Sequence, residues 1–272
     1  MKKVLFICFL GILSFFNCED IIQVELDTAE PRLVVDGTLA WIKGTSGNLQ
    51  EIRLTLTAPF FDTIIPPATG ATVTVTDEDN NVFNFTEKDS TGKYRNQSFR
   101  PTLNGTYTLN INYNNEAYIA TETLIPVVPI ESVEERPNVG FAGDETEIRA
   151  FYTDPKGVKN YYLFEFINPV TGVRNNELYD DEFTDGNRTF GIYFDDDFKT
   201  GDSLIIANEG ISKQFHEYVN VLLQQINIDD GDPFQTQPAI VRGNCINTTN
   251  PDNFALGYFR ASEVSVFIHV FE

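Results

Sequence analysis

Apolar and polar residues alternate with a period of two through much of the first half of the chain, the spacing of half-buried β-strands. In EIRLTLTA, Ile52, Leu54 and Leu56 fall on one face and Arg53, Thr55 and Thr57 on the other. RLVVDGTL (32–39) is another candidate strand, and ATVTVTD repeats the alternation through Val73 and Val75. The turn residues DEDNN follow, and VFNFTE runs back as the second arm of a hairpin. The strongest local signal is GTYTLNINYNNEAYIATETL, in which Tyr107, Leu109, Ile111 and Tyr113 alternate with polar neighbours. Asn114 and Asn115 tolerate the positive φ of a two-residue turn, and 117–124 returns. Between Pro31 and Leu124 the pattern predicts a small antiparallel, immunoglobulin-like β-sandwich.

The alternation then breaks. PVVPIESVEERP carries Pro126, Pro129 and Pro137, which predicts lost pairing and a domain boundary there, with domains at 31–128 and 129–272. Beyond it, EIRAFYTD and NYYLFEFIN read as strands joined by the turn Asp154-Pro155-Lys156-Gly157, and SLIIANEGI as a further strand. The intervening YDDEFTDGN and FDDDFKTGD are polar and acid-rich. In SKQFHEYVNVLLQQIN the period changes to that of a helix. Phe215, Tyr218, Val219, Leu222 and Ile226 share one face, Ser212 can cap the start, and Asp229-Asp230-Gly231 ends it. One amphipathic helix near 212–227 is therefore expected, with two closing strands near 254–260 and 264–271. The expected fold is mainly β: a sandwich followed by a second β-rich α+β domain.

The first residues have a different pattern. Lys2 and Lys3 precede an apolar run, Val4 to Phe16. A bilayer core takes about 20 helical residues to cross, so this run reads as a secretory signal. Phe15, Phe16 and Asn17 do not make a small-x-small cleavage site; Cys18 stands next. The arrangement resembles a lipoprotein signal, with 1–17 removed, Cys18 acylated, and the acidic 18–30 left as a lipidated tether. Each acyl methylene buried in lipid contributes about 0.8 kcal/mol, so two or more chains anchor stably. Asn17 departs from the strict enterobacterial lipobox and resembles the looser one of Bacteroidota. The alternatives are a secreted chain cut elsewhere and an uncleaved anchor.

Charge and cysteine usage narrow the function. With 40 acids against 19 Lys and Arg, the formal charge is −21, which opposes binding to nucleic acid or to anionic lipid. Cys8 would leave with the signal and Cys18 would carry lipid, so Cys245 has no intramolecular partner and reads as a small core residue. His216 and His269 are the two histidines, neither beside a nucleophile motif, and G-x-S-x-G and H-E-x-x-H are absent from the sequence. No catalytic residue is expected, and no zinc site. Four acid clusters sit in predicted turns: 77–79, 180–182, 195–197 and 229–232. Calcium takes roughly six to eight oxygens from such loops, but none of the four has EF-hand spacing. They read as solvated turn acids, with calcium as the alternative. Tyr161, Tyr162, Phe164, Tyr179, Phe183, Tyr193 and Phe194 supply aromatics in the irregular second half, where loops would carry any binding surface.

The order of segments is itself informative. Cys18 and an acidic tether are followed by PRLVVDGTL, GATVTVTDEDNN with GKY after it, GTYTLNINYNNEAYIATETLIPVVPI, YTDPKGVKNYYLFEF and a late ALGYFRAS. Together these resemble an uncharacterised Bacteroidota family of outer-membrane lipoproteins classed as a domain of unknown function. Members are typically encoded beside TonB-dependent receptors of the starch-utilisation type. The resemblance implies an accessory or ligand-capturing lipoprotein on the outer membrane, with a TonB-dependent receptor as partner and Cys18 as the lipid site. It also implies that Glu19 and Asp20, directly behind the cysteine, act as a signal for export to the cell surface, with a solubilising spacer as the alternative. A structural or adhesive surface protein is the alternative from another class, and a surface hydrolase a third.

Overall fold

The computed structural model describes residues 29–59, 61–139, 143, 145–195, 198–226 and 240–271. In the first half, strands β1 (Leu33–Ile42), β2 (Gln50–Leu56), β3 (Thr72–Asp77), β4 (Val82–Glu87), β5 (Lys93–Asn96), β6 (Thr106–Tyr113) and β7 (Glu116–Thr123) follow in order. Their inward positions are the apolar ones: Leu33, Val35, Ile52, Leu54, Val73, Val75, Tyr107, Leu109 and Ile111 are all exposed by 2% or less. Phe83, Phe85, Tyr94 and Phe99 fill the space between them, giving one sandwich core. The β6–β7 hairpin turns on Asn114 and Asn115 at φ 49 and 63, the positive values its two-residue loop requires.

The second half contains β8 (Ser132–Val139), β9 (Glu145–Thr153), β10 (Tyr161–Ile167), β11 (Arg174–Asp180), β12 (Arg188–Asp195), β13 (Ser203–Gly210), helix α1 (Lys213–Ile226), β14 (Ile246–Asn247) and β15 (Leu256–Val270). Strands β12, β9 and β8 form a three-stranded sheet. It packs Ile148, Ala150 and Tyr152 onto Tyr162, Phe164, Phe166, Leu204 and Ile206 of β10 and β13. On the opposite face of β10, Leu163 meets Ile211, Phe215 and Tyr258, so α1 covers that side with the apolar stripe its periodicity predicted. Ser212 caps the helix: its Oγ accepts from Phe215 N–H at 3.2 Å.

Three expectations are corrected. The two closing strands are one, because 256–270 continues without a turn. Its first part lies parallel to β1, from Val34 opposite Leu256 to Ile42 opposite Val264. Its last part lies antiparallel to β13, from Glu209 opposite Val264 to Ser203 opposite Val270. This strand joins the halves into a 12-stranded sheet of order β11-β10-β13-β15-β1-β2-β5-β4-β3-β6-β7-β14. Second, PVVPIESVEERP does not break pairing throughout, since β8 forms within it. β8 pairs on one side only, and Pro137 sits where the register shifts between Arg136 and Val139, so its missing N–H disrupts no ladder bond. Third, the acid-rich interval supplies β11 and β12, with Asp180 and Asp195 at strand ends and Asp181, Glu182 and Asp185 in the turn between them.

The expected division near residue 128 falls between two hydrophobic clusters, yet residues 31–272 form one compact unit. The reason lies in the late chain: Cys245, Ala255, Phe259 and Ala261 complete the sandwich core begun by β1 to β7. Gly257 allows the junction. Its φ is +80, and a Cβ there would collide with the Val35 carbonyl oxygen of β1.

Candidate functional site

Cys18, Glu19 and Asp20, the residues assigned to lipidation and export from sequence, lie outside the described residues. Two other places gather chemistry-bearing side chains.

The first is the seam between β7, β15 and the start of α1. Glu122 occupies an inward slot of β7, two residues beyond Ala120 in the alternation, and is almost fully buried. Its Oε1 accepts from the Tyr258 hydroxyl at 2.9 Å and from Asn244 Nδ2 at 3.3 Å, with Ser212 Oγ 3.5 Å away. Burial pushes the Glu122 carboxyl above the usual range, against the hydrogen bonds from Tyr258 and Ser212 that favour its anion. Burial likewise raises the Tyr258 hydroxyl, reinforced by the Glu122 charge. Cys245 lies beside this seam with its thiol pushed up to about 12 by burial, so it behaves as the inert core residue the sequence suggested.

Above the seam, α1 and residues 241–244 enclose an open cavity of about 360 Å³ lined by Gln214, Glu217, Tyr218, Arg242 and Tyr258. The Tyr218 and Tyr258 rings, 4.9 Å apart at 44°, form its aromatic wall. Arg242 is held in place by stacking over Phe254 at 3.8 Å, with Arg32 over the same ring at 3.9 Å. The volume is within the range of small-molecule sites, roughly 300–1,000 Å³. Such a groove can take a small ligand by ring contact and hydrogen bonding.

The second place is the acidic turn 180–187. Carboxylate oxygens of Asp154, Asp181 and Asp185 lie within 4.8 Å of one another, and the first two residues are only 1% and 3% exposed. Each carboxylate has work within the fold. Asp154 accepts from Tyr162 Oη at 2.6 Å and from Gly186 N–H at 3.3 Å. Asp181 accepts from Asn160 N–H at 2.9 Å, and Lys159 Nζ lies 2.7 Å from its Oδ1. Asp185 accepts from Gly157 N–H at 2.6 Å. Burial acts to raise the Asp181 carboxyl, but the Lys159 ammonium and the Asn160 N–H outweigh it and hold it below the usual range. Among the described residues these three acids are the set that could ligate a cation, and the Lys159 ammonium lies against Asp181. The knot ties the turns at 154–157 and 181–187 together.

The remaining sequence candidates disperse. His216 packs its ring 5.1 Å from Tyr161, and burial lowers its pKa. His269 pairs with Glu135 at 2.7 Å. Asp77 spends its carboxylate on Asp79 N–H and on Asn81, within its own turn. Tyr162 and Phe164 are core, whereas Phe183 stands 90% exposed at the tip of the acidic turn. Asp196, Asp197 and the cluster at 229–232 lie outside the described residues. Glu122, Tyr258 and Asn244 escaped sequence reasoning. The one available signal was an acid in an inward slot of TETL, after Tyr118 and Ala120.

The model of the family described as a domain of unknown function, DUF4249, matches residues 19–267. No curated protein matches the chain. Among solved structures, a two-domain fibronectin type III segment of chicken tenascin is similar at 9% identity and TM-score 0.21, covering 68% of this chain and 89% of that one. A DUF4785 family protein from Legionella pneumophila is similar at 8% identity and TM-score 0.25, covering 66% and 51%.

Proposed function

From membership of the DUF4249 family, to which the chain belongs, we propose a surface-exposed outer-membrane lipoprotein that serves a TonB-dependent transporter as an accessory or ligand-capturing partner. The observation that carries this reading is the run from Lys2 to Asp20: a basic pair, a short apolar stretch, Cys18, then Glu19 and Asp20. Acyl chains on Cys18 would hold the body at the bilayer, and the acids behind it would direct it outward. The −21 charge favours a solvated protein working beside a membrane partner over one lying on anionic lipid. The role is one of binding rather than catalysis, with the groove between Tyr218, Tyr258 and Arg242 as the place for a captured ligand.

Mass spectrometry of the native protein tests the anchor: the expected N-terminal peptide begins at an acylated Cys18, and an unmodified peptide overturns the reading. Affinity purification from detergent-solubilised outer membrane should recover a large β-barrel in stoichiometric amount. Changing Glu19 and Asp20 to Ala should reduce protease accessibility on intact cells.

A further inference from the structure

Unpaired strand edges recruit other strands, and native sheets blunt them with charge, proline, shortness or irregularity. The four terminal strands here follow that rule. β11 carries Arg174, Glu177 and Asp180; β14 is two residues long; β8 carries Glu134, Glu135, Arg136 and Pro137; β12 runs from Arg188 to Asp195 and is interrupted by Gly191.

A fifth edge is left inside the long sheet. β1 ends at Ile42 opposite Val264, and Lys43 N–H makes a last bond to the Val264 carbonyl at 2.8 Å before the chain turns away. β15 continues through Ser265 to Val270, paired on its other side with β13. Among the described residues no strand pairs with the β1 side of this tip. The sequence there, SVFIHV, has no proline, glycine, acid or lysine, the composition of a segment that pairs readily. Val266, Ile268 and Val270 are 41%, 63% and 54% exposed. Beside them on the same face stand Ile205, opposite Ile268, and Ile167, opposite Ile205. The other face is fixed, Phe267 against the second core and His269 on Glu135, so the tip is held in strand conformation.

We infer that the tip of β15 is a strand-addition site, where an extended segment of a different protein pairs with the Ser265–Val270 backbone on the side that β1 leaves open. Main-chain bonds would give affinity, and the row Val266, Ile268, Val270 would select a segment with alternate apolar side chains. At ~3.3 Å per residue the tip takes about six residues of partner. Charge decides the occupant. Two copies at −21 each repel, which disfavours self-pairing, so the complementary segment is basic at its ends. This site does not depend on a lipid at Cys18 or on a transporter partner.

The test uses the full chain in detergent and, as probe, a blocked peptide of alternating valine and threonine with lysine at both ends. Hydrogen exchange at 265–270 should slow on saturation with peptide, and a glutamate-ended peptide should bind more weakly. Ile268→Lys should weaken binding by about tenfold or more with an unchanged thermal melt, while Val170→Lys in an exposed loop should leave binding as it was. Absence of protection at saturating peptide, or equal binding by Ile268→Lys, overturns the inference. So does a concentration-dependent dimer that protects 265–270 without peptide, which would make a second copy the occupant.

Discussion

The sandwich and the second half of the chain fill their interiors with different material. Between residues 31 and 121, the fully buried polar side chains among those described are two amides, Gln50 and Asn96. Both are satisfied: Gln50 bonds the Ala40 and Gly47 backbone, and Asn96 bonds Asn84 and Ser98. From residue 122 onward the interior hides Glu122, Glu147, Asp154, Asp181, Glu209 and Glu263. Each has a cation or strong donor beside it: Tyr258, Arg149, Tyr162, Lys159, Arg260 and Lys43, in that order. One region is specified by where apolar surface goes and the other by which charges meet. Burying a paired charge contributes little net stability, but orphaning its partner is expensive. The second half should therefore be the more fragile to single substitutions and the more tolerant of paired ones.

The largest expected effect is at Arg260, which pairs with Glu209 and lies 5.0 Å over the Phe215 ring. Burial lowers the guanidinium to about 10, still charged at neutral pH. Arg260→Met leaves Glu209 buried without its cation and should cost about 3–5 kcal/mol in urea unfolding. The double variant Arg260→Met, Glu209→Leu should recover most of that loss. Absence of recovery would break the contrast, showing that the pair is needed as such.

In the sandwich, Leu54→Ala removes a fully buried side chain among Leu33, Val35 and Ile52. Its expected cost is about 2–5 kcal/mol, set by the cavity left. Here a paired change should not rescue: adding Ile52→Val should deepen the loss. A sandwich variant that was rescued by a polar partner would remove the distinction between the halves.

A smaller effect separates the two kinds of buried acid by pH. Burial raises Glu122 in the folded state above its ordinary 4.5, so above that pH the folded state holds a proton that the unfolded state has released. The stability tied to this group is present below 4.5 and is lost as pH rises through the raised value. Asp181 has the opposite sign. Its folded pKa is lowered, so its contribution is present above 3.8 and lost as pH falls. Glu122→Gln should flatten the decline of stability with rising pH, and Asp181→Asn should flatten the decline toward acid. Melting temperatures from acid to neutral pH check both. Parallel wild-type and Glu122→Gln curves would mean that Glu122 titrates alike in the folded and unfolded states.

The same contrast explains how much could be seen in the sequence. Val73, Val75, Tyr107, Leu109 and Ile111 announce their strands because apolar alternation is both the signal and the cause of folding. β12 gives no such signal, since its Arg188 and Asp195 ends look like loop and Phe190 packs edge-on against Phe151 of β9. The 15-residue β15 read as two strands because its neighbours change midway, and Arg260, Ser262 and Glu263 interrupt its apolar pattern where it crosses between the cores. Partners distant in sequence, such as Glu122 with Tyr258 or Asp154 with Asp181, leave no local trace. The turn acids at 180–182 are visible as a cluster, whereas Lys159, which pairs with Asp181, stands more than twenty residues away and carries no local sign of that contact.

Ser212 is where a legible local signal meets the illegible seam, which makes the smallest expected effect the sharpest test. Its Oγ accepts from Phe215 N–H and lies 3.5 Å from Glu122 Oε1. As a helix cap alone, Ser212→Ala should cost about 1 kcal/mol and Ser212→Asp should restore capping. As a donor to Glu122, the hydroxyl does something that Asp cannot, because a second carboxylate would repel the first. Ser212→Asp should therefore rescue fully in the Glu122→Gln background and poorly in the wild type, read as Tm at neutral pH. Equal rescue in both backgrounds would mean that the hydroxyl serves the helix alone, and that the seam is held by Tyr258 and Asn244 without it.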